Sequence, residues 1–172
     1  MNKDGGDERT ERLFFNYAFP CSQTLMQLKR ISEYQFNKLK DCFEKGTVPD
    51  REEMEIVFVA AFVRIRRLAK LRGKDYWDHD IIKEYWESYH NENIDNGDGF
   101  YENAPESFRD LCRTTVAEIV GIRESENKKM LIVEYSDKKG LRKRRILFNN
   151  LVPDVKTGDK VRMHYGYAVE KV

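Results

Sequence analysis

Three cysteines and three histidines are the side chains best suited to thiol, soft-metal or proton-transfer chemistry in this 172-residue chain. Cys21, Cys42 and Cys112 are an odd number with wide spacing, which makes no disulfide framework. His79 and His90 stand eleven residues apart, three turns along a helix, and that is too far to share a metal. The segment NENIDNGDGFYENAP at Asn91–Pro105 invites comparison with a calcium-binding loop. Counting back from Gly97 or from Gly99 puts Ile94 where an oxygen ligand is needed, so a solvated acidic connector is the better reading. The chain has no phosphate loop, no GxSxG elbow and no HExxH helix, and its acidic pairs are too numerous to single out two carboxylates. An enzyme is not expected.

Two constellations remain. In Lys160–His164 the residues Val161 and Met163 share one parity and Arg162 and His164 the other, which places His164 on the polar face of a strand. Cys112 sits where the acidic connector meets a strand-rich region, where a thiol is accessible; the alternative is a small buried hydrophobe. Cys21 and Cys42 read as packing residues, and His90 with Tyr89 as surface decoration. The second constellation is basic. Arg142, Lys143, Arg144 and Arg145 lie on one strand, with Lys138 and Lys139 in the turn before it. A basic hairpin on a small barrel suits the backbone of a nucleic-acid strand, although only Tyr135 and Phe148 offer rings for stacking. Arg64, Arg66, Arg67, Lys70, Arg72 and Lys74 form a second basic cluster, on a helix.

The elements that position these residues change period near residue 110. After a frayed start, Glu8–Phe19 reads as a short helix ended by Pro20. Ser22 is the expected N-cap of a helix reaching Glu44, with Leu25, Leu28, Ile31 (or Ser32), Phe36, Leu39 and Phe43 as its apolar stripe and Gly46 closing it. Asp50 and Glu53 open the longest helix, which runs to Gly73. Its stripe is Ile56, Val59, Ala60, Val63 and Leu68, widened by Val57, Phe58, Phe62 and Ile65, as in a helix with neighbours on two sides. A further helix spans about Asp78–Asn91. Beyond Cys112 come the strands Thr114–Ile122, Lys129–Tyr135, Leu141–Phe148, Lys160–His164 and Tyr167–Val172, with Asp137–Gly140 as a hairpin turn. The fold class is therefore α+β. A helical bundle (1–95) precedes an acidic linker (96–110) and a small OB-like or SH3-like β-barrel (111–172), because closure removes exposed edges from so few strands.

Composition narrows the class. Apolar residues make up 40% and aromatics 12%, enough to build cores. The longest apolar run, Ile56–Val63, falls well short of the ~20 residues of a membrane span, and MNKDGGDERTER lacks the apolar region of a signal peptide, so a cytoplasmic setting with no membrane is expected. The net charge of +1 hides an asymmetry: 14 Lys+Arg against 8 Asp+Glu from Cys112 onward, and 10 acidic against 2 basic residues between Asp78 and Asp110. Opposed charges suggest that the halves dock on each other, or that each faces its own partner.

The closing run LVPDVKTGDKVRMHYGYAVEKV resembles the signature of the HypC/HupF family of hydrogenase-formation chaperones. Leu151, Val152, Pro153, Gly158, Asp159, Val161, His164, Gly166, Ala168 and Val169 fall in register with the family's "LVP…VGDYVLVHxGFAI" run. Leu111–Ile122 aligns without a gap on its opening "MCLAIPGKVVEI"-like segment, which places Cys112 on the family's cysteine. The resemblance implies a small β-barrel and an accessory role in metallocentre assembly. The partners implied are a HypD-like maturation protein and the precursor of a nickel–iron hydrogenase large subunit. The iron–cyanide–carbonyl unit would be a transient cargo rather than a stable cofactor, with Cys112 as its iron ligand and Cys112 and His164 as the cargo- or partner-binding pair. A thiolate is a soft ligand suited to low-spin iron. Here the cysteine is internal, whereas the family's becomes N-terminal. The resemblance therefore also admits an adaptor that keeps protein docking without cargo. Residues 1–110 resemble no family.

Overall fold

The computed structural model describes residues 8–125 and 128–172; the frayed start expected before Glu8 lies outside the described residues. It is an α+β chain of helices followed by a closed five-stranded barrel. Two compact units divide it, one ending at His90 and one beginning at Asn91. No helix among the described residues is long and apolar enough to cross a membrane.

The first unit holds α1 (Glu8–Ala18), α2 (Ser22–Gln27), α3 (Glu33–Lys45), α4 (Arg51–Val57), α5 (Val59–Arg72) and α6 (His79–Glu84). Its core is aromatic. Phe14 meets Phe62 at 4.6 Å between ring centroids, and Tyr17 stacks on Trp86 at 5.3 Å. Such pairs contribute roughly 0.5–1.5 kcal/mol each beyond their buried area. The single helix expected over Ser22–Glu44 is two helices. Lys29 turns left-handed (φ 56°), and Ser32 opens α3 with a reciprocal capping box to Gln35. Asp50 accepts from the Glu53 N–H at 2.9 Å, and Gly46 and Gly73 close α3 and α5 in the left-handed conformation that only glycine adopts without strain.

The single helix expected from Asp50 to Gly73 is likewise two, α4 and α5, broken at Phe58 (φ −102°, ψ 38°), and the pair presents a different face from the expected one. Met54, Val57, Phe58, Phe62, Ile65 and Leu68 are buried, while Ile56, Val59, Ala60 and Val63 face outward. Two apolar stripes compete on this helix pair, and the one carrying the phenylalanines packs against Phe14 and Trp77. After α6 the chain makes a π-helical turn (Tyr85–Tyr89), and the ring of His90 lies against Tyr85 and Trp86. His90 is buried rather than decorating a surface.

The second unit opens with α7 (His90–Asp95), counted from Asn91, and α8 (Glu106–Cys112). The strands β1 (Thr115–Ser125), β2 (Lys128–Ser136), β3 (Arg142–Phe148), β4 (Lys160–His164) and β5 (Tyr167–Lys171) follow. They close in the order β1-β2-β3-β5-β4, antiparallel except for one parallel pair, Phe148 with Tyr167. Ile119, Leu131, Val133, Leu147, Val161 and Met163 fill the interior, following the two-residue period of each strand. Residues 96–110, expected as a linker, carry a 3-10 turn and most of α8. Arg109 ties them together by donating to the carbonyls of Tyr101, Glu102 and Ala104.

Candidate functional site

Cys112 is the last residue of α8, and its place is set by the turn between β4 and β5. Its thiol donates to the Tyr165 hydroxyl at 3.2 Å. The Tyr165 N–H donates to the Leu111 carbonyl at 3.2 Å, and Phe108 meets the Tyr165 ring edge-on at 6.3 Å. Tyr165 holds this position with a φ of 52°, a left-handed conformation costing about 1 kcal/mol in a residue with a Cβ. A bulky residue kept where glycine would relax marks a side chain whose contacts the fold depends on.

His164 is the next residue back along the chain, and its ring lies edge-on to Tyr165 at 5.1 Å. Cys112 and His164 thus flank one tyrosine. Both are closed to solvent, each 1% exposed. For His164 this corrects the polar-face expectation: Arg162, two residues back, is partly exposed, but the end of β4 is buried, next to the turn that the Tyr165 N–H ties to the Leu111 carbonyl. Burial pushes the Cys112 thiol up to about 11, and the Tyr165 and Tyr101 hydroxyls and the charges of Arg113 and Arg145 only partly offset it. At neutral pH this is a protonated, shielded thiol, a poor soft-metal ligand as it stands.

The same end of the barrel is sealed by charge. Asp110 on α8 accepts from the Tyr135 hydroxyl at 2.9 Å, from Arg145 at 3.2 Å and from Lys143 at 3.4 Å. Arg145 also donates to the Tyr135 hydroxyl, 2.9 Å away. Burial and the hydrogen bond to Asp110 raise the Tyr135 phenol above its ordinary range. Arg113 bridges Asp95 and Glu106 at 2.8 and 2.7 Å, and Lys138 reaches Asp95 at 2.9 Å. Burial alone would push the Asp95 carboxyl up, but Lys138 and Arg113 together hold it below the usual range.

The basic hairpin is therefore divided by strand parity. Lys143 and Arg145 point to the sealed end, where Lys143 also pairs with Asp137 at 3.0 Å. Arg142 and Arg144 point outward and both grip Glu134 across the strand pair. Tyr135, expected as a stacking ring, is buried inside, while Phe148 lies outside beside Tyr167 at 5.2 Å. Next to the arginines on the outer face, Ile132 pairs with Ile146 and Met130 with Phe148. Ile146 and Phe148 are exposed. The residues that the sequence reading missed are Asp110, Tyr165 and Asp95. Asp110 and Asp95 were folded into a count of acidic residues, and only the strand register shows which bases they face.

No family model matches the chain, and comparisons with curated proteins and with solved structures give no match either.

Proposed function

We propose that the chain is a non-catalytic accessory protein of metallocentre assembly whose barrel docks on a protein partner and whose Cys112 serves packing rather than cargo. The observation that carries this reading is the outer face of β2 and β3. Ile132, Ile146, Met130 and Phe148 stand together there, beside Arg142 and Arg144, which share the single carboxylate of Glu134. An apolar centre with a polar rim, its charge offset in part, suits a protein surface. It suits a nucleic-acid strand less well: residues 91–172 hold 15 Lys+Arg against 14 Asp+Glu, so the unit has almost no net field to attract phosphates. Direct carriage of an iron–cyanide–carbonyl cargo on Cys112 is the weaker reading, since the thiol is shielded and its pKa stands at about 11. The HypC/HupF resemblance of residues 111–172 supplies the partner class, a HypD-like protein or a hydrogenase large-subunit precursor.

The test is titration of the full chain against those two purified proteins from the producing organism, with a labelled single-stranded oligonucleotide alongside. Binding to one of the proteins that Ile146→Asp weakens at least tenfold, that Cys112→Ala changes less than threefold and that 200 mM salt leaves largely intact supports the docking reading. Binding lost with Cys112→Ala while the fold persists would return the site to the thiol. Tight oligonucleotide binding that collapses with salt would overturn the proposal in favour of nucleic acid.

A further inference from the structure

β3 closes the barrel at one point. Its parallel pairing with β5 is confined to Phe148 and Tyr167, where the Phe148 N–H donates to the Gly166 carbonyl at 2.8 Å. Two bonds fix which way the rest of the strand faces. At its end, Phe148 turns its N–H toward β5 and so away from β2; just before its start, the Leu141 carbonyl accepts from the Asp137 N–H at 2.9 Å, toward β2. The β2–β3 register runs unbroken between these bonds. Odd-numbered residues therefore bond to β2, and the N–H and C=O groups of Arg142, Arg144 and Ile146 point to the opposite side. Among the described residues none bonds to those groups. All three residues are exposed.

An open row of strand donors and acceptors has a natural complement in the backbone of another extended segment. Charged side chains on an edge commonly keep such a segment off. Here Arg142 and Arg144 both reach Glu134 on β2, so they lean over the sheet and not over the open side. They share one carboxylate, which leaves a positive charge over for an acidic newcomer. A strand laid antiparallel to β3 sets its outward residues beside Ile146, Arg144 and Arg142 in turn, and apolar-x-acidic-x-acidic is the pattern that matches them. We infer that the open edge of β3 takes up an extended segment of a partner protein with this pattern, adding a strand to the sheet. This rests on the docking reading for the existence of a partner, and adds the form in which the partner arrives. So short an edge supports a short ladder, and an isolated segment binds it with a Kd of roughly 0.1–1 mM.

Amide hydrogen exchange of the full chain, followed by NMR, tests the edge directly. Arg145 and Leu147 should exchange slowly, and Arg144 and Ile146 at least tenfold faster; equal protection of all four would show a covered edge and overturn the inference. The binding probe is a synthetic heptapeptide in which one Val and then two Glu alternate with Thr. Titrated to about 2 mM, it should slow exchange at Arg144 and Ile146. N-methylation of its Val and both Glu removes the N–H groups that face β3 and should weaken binding at least tenfold. Lys in place of both Glu should weaken it at least threefold. Ile146→Pro deletes an edge donor without touching the ladder to β2, so it should fold by circular dichroism and lose the peptide at least fivefold; the methylated peptide carries the same test without altering the chain. No binding at 2 mM, or equal binding of the methylated peptide, would overturn the inference. Protection of Arg144 and Ile146 that rises with protein concentration alone would overturn it too, assigning the edge to a second copy. Peptide binding here while neither purified partner protein binds would sink the docking reading and leave the edge standing. A partner protein that binds without protecting Arg144 and Ile146 would do the reverse.

Discussion

A thiol held neutral by burial makes a measurable demand on the folded state. Cys112 titrates near 9 when unperturbed and at about 11 in the fold. Below pH 9 the proton is bound in both states. Between 9 and 11 the unfolded chain loses it while the folded chain retains it, so stability falls as pH rises, by about 2–3 kcal/mol over the window. Urea denaturation from pH 7 to 11 should show that fall in the wild type and a shallower one in Cys112→Ala; parallel curves would mean that the thiol is solvated. Asp110 makes the opposite kind of demand, since it is the shared acceptor for Tyr135, Arg145 and Lys143. Asp110→Ala leaves those donors facing an apolar gap and should cost about 2–4 kcal/mol, read as a lower urea midpoint at unchanged m-value. Neither partner set was legible in the sequence. Alternation along β4 correctly put Met163 and Val161 inside, yet it does not report burial at a strand's end, and so it misplaced His164.

At the scale of elements, periodicity reads a helix well and its interruptions poorly. Leu25, Leu28, Ile31 and Phe36 keep a helical rhythm across residues 28–32, although the backbone there turns through Lys29 at φ 56°. The interruption did have a signature, the Ser32-Glu-Tyr-Gln35 capping box, masked by the apolar residues on either side of it. Two substitutions separate its parts. Ser32→Ala removes the acceptor for the Gln35 N–H and should destabilise by about 1 kcal/mol, whereas Lys29→Gly relieves a left-handed backbone and should be neutral or stabilising by up to about 1 kcal/mol. Thermal unfolding of the two variants should move in different directions; equal losses would mean that the turn is held by the Lys29 side chain. The α4–α5 pair shows a second limit. A helix apolar on two sides has two candidate inner faces, and its own residues do not rank them. The ranking comes from Phe14, Trp77 and Trp86, which lie elsewhere in the chain and pack on the Phe58–Phe62 side or on its neighbours.

For the whole molecule the question is where the barrel ends. The strands and their order of appearance were readable from β-branched runs and turn residues, and β4 has the span expected of it, Lys160–His164. The change of period at 110 marks the first strand, but the charges mark a different boundary. From Cys112 onward the barrel carries 14 Lys+Arg against 8 Asp+Glu, and residues 91–111 carry 1 against 6, so the second unit is nearly neutral only with its helical collar attached. The collar acts through particular bonds: Asp95 to Lys138 and Arg113, Asp110 to Lys143 and Arg145, and the Asn91 amide to Thr114. A fragment of residues 91–172 should therefore unfold cooperatively, whereas residues 112–172 should be several kcal/mol less stable or fail to fold, with Arg145 and Tyr135 deprived of Asp110. Charge gives the same pair of fragments a second readout. The shorter fragment, at net +6, should retain single-stranded DNA in 20 mM salt and release it by 200 mM, while the longer fragment and the full chain should bind none at either concentration. Equal DNA binding by all three would mean that the acidic collar does not screen the hairpin, and the apolar face of β2 and β3 would then lie in a basic field rather than a neutral one.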